Sequence, residues 1–147
     1  SNSYATISGI LAYNDTYYWR LMVWDDNNTA SSWVAGSSFT TPKHAYPTVN
    51  FKAVPANPSV SEAVQLSDLT TGGATIVSWF WNITDATHQD GTNANTQNPK
   101  VKFTSAGTKP IVLIATDVDG YQCSNLDNPS SLKSLKIMLP LPNWKES

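Results

Sequence analysis

Nine prolines, at positions 42, 47, 55, 58, 99, 110, 129, 140 and 142, punctuate a chain of 147 residues. Each locks φ, removes a backbone donor and pushes its predecessor towards extended geometry. No stretch carries a sustained apolar stripe at i, i+3, i+4 and i+7, so almost no helix is expected. The chain instead holds short β-type segments at 48–53, 63–67, 75–81, 100–103, 110–116 and 132–139, separated by turn residues. Strands at this spacing predict an all-β antiparallel sandwich.

The first 42 residues look like a separate piece. Residues 17–23 place Tyr17, Trp19, Leu21 and Val23 on one face and Tyr18, Arg20, Met22 and Trp24 on the other. Asp25-Asp26-Asn27-Asn28 then favours a turn, because these side chains bond their own backbone and tolerate left-handed geometry. A second strand is expected to return through Ser32 and Trp33 to Phe39. The proline-bearing stretch 40–47 marks a domain boundary, with 43–47 as linker.

Composition narrows the class. Only 14% of residues are charged, the net charge is -2, and nine basic residues are scattered along the chain. That leaves no electrostatic footprint for nucleic acid or an anionic membrane surface. The longest apolar run, 111–115, is far short of a bilayer span, and the N-terminus has no apolar signal core. A single cysteine excludes an internal disulfide framework and a thiolate zinc site. Six Trp and six Tyr over a surface of Ser, Thr and Asn fit an extracellular or cell-surface β protein. The segment 85–98 has no apolar side chain larger than Ala and is expected to form a long loop outside the core.

Two resemblances follow from motifs. Leu11-Ala-Tyr-Asn-Asp-Thr-Tyr17, then Tyr-Trp-Arg, Ser32-Trp33 and Ser38-Phe-Thr-Thr-Pro42, resembles the last three strands of a fibronectin type III domain. Leu11 and Tyr17 match that family's tyrosine corner, whose phenol bonds back to the backbone. The resemblance implies strands E, F and G without A to D, so the chain is expected to be a fragment. Residues 46–139 resemble a PKD domain, another Ig-like sandwich. Pro55-Ala-Asn-Pro58, Glu62-Ala-Val-Gln-Leu-Ser-Asp68, Ser78-Trp-Phe-Trp81, Asn98-Pro-Lys-Val-Lys-Phe103, Gly107 and Val112 to Gly120 carry the match in order. The family hallmark Trp-Asp-Phe-Gly-Asp-Gly reads Trp81-Asn-Ile-Thr-Asp85-Ala here, so the first acid and both glycines are missing. The tail from Pro140, including Trp144, resembles linkers of multidomain bacterial surface proteins.

The chemistry in the sequence is sparse. His44 and His88 are expected in solvent, with no nucleophile elbow and no metal-spaced pair. Asp117-Val-Asp119-Gly120 begins like a calcium loop but lacks its later ligands, so a hairpin turn is expected. Calcium held by Asp68, Asp85 and Asp117 near the strand ends is what some PKD relatives imply. Trp79, Trp81 and Val77 should pack inward with Phe80 opposite. Sequons at Asn14, Asn27 and Asn82 are about as many as this composition produces by chance. Cys123 is expected to behave as a small buried hydrophobe.

Tyr18, Arg20 and Trp24 form the candidate ligand-binding stripe: aromatic rings stack on sugar rings, and Arg20 can meet a carboxylate. A neighbouring domain or another chain could equally cover that stripe, completing the half-domain by strand addition. The expected function is a noncatalytic Ig-like module of a secreted or cell-surface bacterial protein, acting as spacer or as protein-binding and adhesion surface. The alternative is an accessory polysaccharide- or polymer-binding module of a secreted hydrolase, with Tyr18, Trp24, Trp33 and Trp144 exposed. No constellation for catalysis is visible.

Overall fold

The structure is a computed structural model that describes residues 11–140. The expectations for the first ten residues and for the tail with Trp144 lie outside the described residues. None of the described residues is helical, and no helix is long and apolar enough to cross a membrane. The chain divides into two compact units, 1–44 and 45–147.

The first unit is one long hairpin. Its outgoing arm holds β1 (Thr16–Tyr17) and β2 (Arg20–Leu21); its returning arm holds β3 (Val34–Ala35) and β4 (Phe39–Thr40). Tyr17 pairs with Phe39, Arg20 with Ala35, Leu21 with Val34 and Trp24 with Ala30. From Tyr17 to Arg20 the outgoing arm advances three residues while the returning arm advances four, and the same mismatch recurs between Leu21 and Trp24. Each extra residue is a bulge that deepens the twist.

The Asp25 turn forms as the side-chain chemistry predicts. Its Oδ1 accepts the N–H groups of Asn27 and Thr29 at 3.0 and 2.8 Å, and Asn28 adopts φ 64°. At the other end the Tyr17 Oη accepts the Ala12 N–H at 2.6 Å, while the Thr41 hydroxyl donates to the Ala12 carbonyl at 2.6 Å. The Trp19 ring covers Gly36 so closely that a Cβ there would lie 1.9 Å from a ring carbon, and its Nε1 donates to the Ser37 carbonyl.

The expected inward set of this unit is corrected. Tyr17 is half-buried on a stacked Phe39 ring, but Trp19, Leu21 and Val23 are more than half exposed, and no residue from 11 to 43 is fully buried. A two-stranded ribbon has too little surface to enclose either of its faces.

The second unit is an Ig-like β-sandwich of two four-stranded antiparallel sheets. One runs β5 (Phe51–Val54), β6 (Ala63–Asp68), β9 (Lys100–Phe103), β8 (Ala86–Gln89). The other is built on β10 (Gly107–Asp117), with β7 (Ile76–Ile83) on one side. On its other side β10 pairs first with β12 (Ser134–Ile137) and then with β11 (Gln122–Ser124). Alternation along the strands sends Val64, Leu66, Val101, Phe103, Ile111, Leu113, Ala115, Leu135 and Ile137 into the core. Trp81 sits at its centre, edge-on to Phe51 with ring centroids 5.3 Å apart. Burial of each large side chain contributes about 1.5–3 kcal/mol.

Two local features depart from the sequence-based expectation. The segment 85–98 is only partly a loop: β8 pairs in full with β9, and its remainder is tied to β7 by Trp81, whose N–H bonds the Ala94 carbonyl and whose Nε1 bonds the Thr96 carbonyl. Polar composition hid it because an edge strand needs one backbone partner and little apolar surface. Val77, expected inside, is exposed, because the register with β10 shifts between Thr116 and Asp117. The bulge turns Ile76 inward where Val77 would have pointed.

Candidate functional site

The candidate stripe lies on the outgoing arm of the hairpin. Tyr18 is 84% exposed, Trp24 58% and Trp33 51%. Arg20 is exposed too, and its guanidinium carbon stands 4.2 Å from the centroid of the Trp33 ring. Arg20 pairs with Ala35, two positions beyond Trp33 on the returning arm, so the cross-strand register sets the two side chains diagonally on one face. Such an exposed cation–π contact contributes about 0.5–1 kcal/mol and holds the guanidinium in place. The stripe therefore combines two open rings with one positioned cation. Sequence alternation located Tyr18, Arg20 and Trp24, but the stacking partner of Arg20 depends on the bulged register, which has no sequence signature.

The three candidate calcium ligands are each engaged elsewhere. Asp68, at the end of β6, accepts Trp79 Nε1 at 2.8 Å and Gln97 Nε2 at 3.2 Å on one oxygen; its other oxygen accepts the N–H and hydroxyl of Thr70. Asp85 occupies the β7–β8 turn at φ 53° and binds the nearly buried Lys109 Nζ at 2.6 Å. The hydrogen bond from Lys109, with that of Ser105 and the Lys109 charge, holds the Asp85 carboxyl below its ordinary range. Asp117 is buried, and its Oδ1 accepts the N–H groups of Asp119 and Tyr121, closing the β10–β11 hairpin with Gly120 at φ 86°.

Among the described residues, no cluster of His, Cys, Asp and Glu with ligand atoms within 4.8 Å of one another contains two of these three acids. Calcium takes 6–8 oxygens round one ion, and Asp68, Asp85 and Asp117 do not form such a sphere together. Lys109, 24 residues from Asp85, had no spacing signal that could reveal the pair.

Both histidines depart from the solvated expectation. His44 is buried with the Tyr13 ring edge-on at 4.6 Å, and His88 is half-buried on β8. Cys123 packs against the core, and burial, with Asp127 and Asp117 adding to it, pushes its thiol pKa up. A scan against protein-family models finds no match and a search of curated proteins finds no relative, so the functional reading rests on these residues.

Proposed function

We propose that the chain is a noncatalytic Ig-like module of a secreted or cell-surface protein, with the sandwich as rigid spacer and the hairpin as adhesive surface for a protein partner. The observation that carries this reading is the open stripe of Tyr18, Trp24 and the stacked pair Arg20–Trp33. Exposed aromatic side chains beside a cation held on a ring are the composition of an interaction site, since Trp, Tyr and Arg dominate binding energetics. The Tyr17–Ala12 bond supports the fibronectin type III reading of the first unit, and the buried Trp81 between two sheets supports the PKD-like reading of the second. The low charge supports an extracellular setting.

Exposure of Tyr18, Trp24 and Trp33 also favours the second reading, a polysaccharide-binding accessory module, which requires those rings to be open. Surface plasmon resonance over immobilised fibrinogen, collagen, cellulose and chitin tests both. Retention that falls at least tenfold in the Tyr18→Ala/Arg20→Ala/Trp24→Ala variant is expected. Equal retention of variant and parent, or none on any surface, contradicts the proposal.

A further inference from the structure

The outer face of the second sheet carries two aligned rows of side chains. Ser78, Thr116 and Gln122 are directly opposite one another across β7, β10 and β11, and beside them run Phe80, Ile114 and Ser124. The inward positions between them hold Trp79, Ala115 and Cys123, so these six point away from the core. Five of them, Ser78, Phe80, Ile114, Thr116 and Gln122, line a groove of about 480 Å³ together with Val77, Trp79 and Asn95.

Three properties distinguish this groove. Phe80 is 47% exposed although it sits mid-strand. Among the described residues, no ionisable side chain lines it. The polar side chains of Ser78, Asn95, Thr116 and Gln122 make no hydrogen bond with any described residue, whereas the Trp79 indole in the same groove donates to Asp68.

We propose that this groove binds a neutral oligosaccharide. A pyranose ring presents an apolar C–H face and a rim of uncharged hydroxyls; Phe80 offers a ring for the first and the four uncommitted groups offer donors and acceptors for the second. Adjacent strands stand ~4.8 Å apart, about the length of one pyranose unit, so the Ser78–Thr116–Gln122 row can meet successive sugars of a linear chain running across the strands. The absence of charge matches a neutral glycan over a uronate. The groove lies wholly within the second unit, so it goes beyond the hairpin stripe and stands without it.

The test is titration of the intact chain with cellohexaose, chitohexaose, xylohexaose and mannohexaose, with tetragalacturonate as acidic control and an extended hexapeptide as competitor for the β7 edge, read by amide shifts and calorimetry. At least one neutral hexasaccharide should bind in a salt-independent way and shift residues 78, 80, 116 and 122. Phe80→Ala and Gln122→Ala should each weaken it about tenfold while leaving the thermal midpoint within a few degrees of the parent. No binding at millimolar sugar, shifts confined to Tyr18, Trp24 and Trp33, preference for tetragalacturonate, or binding of the hexapeptide alone would overturn it. Shifts confined to the hairpin would leave the stripe proposal standing while this one fails.

Discussion

The Asn125 side chain takes the place of a strand residue beside Leu113. Its Oδ1 accepts the Leu113 N–H at 2.9 Å, and its own N–H returns to the Leu113 carbonyl at 3.1 Å. Its Nδ2 donates to the Ile111 and Leu132 carbonyls. Here β10 passes from pairing with β12 to pairing with β11, and one fully buried carboxamide satisfies the backbone in the gap. Lys133 locks the arrangement by donating to the carbonyls of Asn125, Leu126 and Asn128 at 2.7, 2.9 and 3.1 Å.

Asn125→Leu keeps the branched shape but orphans a buried N–H and two carbonyls. A loss of about 3 kcal/mol or more is expected in urea unfolding. A loss below about 1 kcal/mol would mean that the carboxamide does not carry the junction. Lys133→Met should cost about 1–3 kcal/mol, and the double variant should cost less than the two singles together, because both hold one loop.

Trp81→Ala empties the centre of the core and releases the Thr96 carbonyl. About 3–5 kcal/mol should be lost. Hydrogen exchange should also accelerate at the amides of 92–98 in Trp81→Phe, which keeps much of the ring but lacks the indole donor.

Gly73 combines φ 71° with a close approach of backbone: a Cβ added there would lie only 2.5 Å from the Pro47 nitrogen and 2.7 Å from the Ala45 carbonyl oxygen. Gly73→Ala is therefore expected to cost more than Gly72→Ala, which shares the positive φ but meets nothing within 4 Å. Thermal midpoints of the two variants measure the difference.

Acid should erode the Asp85–Lys109 pair. The folded carboxyl is held below its ordinary value by Lys109, so its contribution is complete above the unfolded value and disappears as pH falls through the folded one. Asp90, held down by Lys100, follows the same direction. Urea midpoints should show Asp85→Asn penalised near neutrality and converging on the parent as pH falls through the lowered folded value. A penalty independent of pH would contradict the pairing.

Cys123 should resist labelling. Burial and two nearby carboxylates raise its pKa, so a disulfide reagent at about pH 8 should react far more slowly with the native chain than with the urea-unfolded one. Equal rates would place the thiol outside the core.

Much of the sandwich was legible in the sequence. Short β-type runs bounded by turn residues located β5, β6, β7, β9, β10 and β12, and the turns at Asp25 and at Asp119-Gly120 announced themselves by their residue types. What escaped were β8, whose polar composition reads as loop although it pairs in full with β9, and effects of register, as with Val77. The candidate stripe was legible as far as alternation reaches. The Arg20–Trp33 stack, the Asp85–Lys109 pair and the uncommitted row of Ser78, Thr116 and Gln122 depend on long-range register that no local pattern encodes.

The central claim, a module that binds without transforming what it binds, is tested most directly by recovering the ligand. The intact chain is passed over immobilised matrix proteins and insoluble polysaccharides, and the retained polymer is analysed by mass spectrometry after prolonged contact. The account predicts retention on at least one surface with the polymer unchanged in mass. Release of cleaved or modified products, or failure to be retained on any surface, would contradict it.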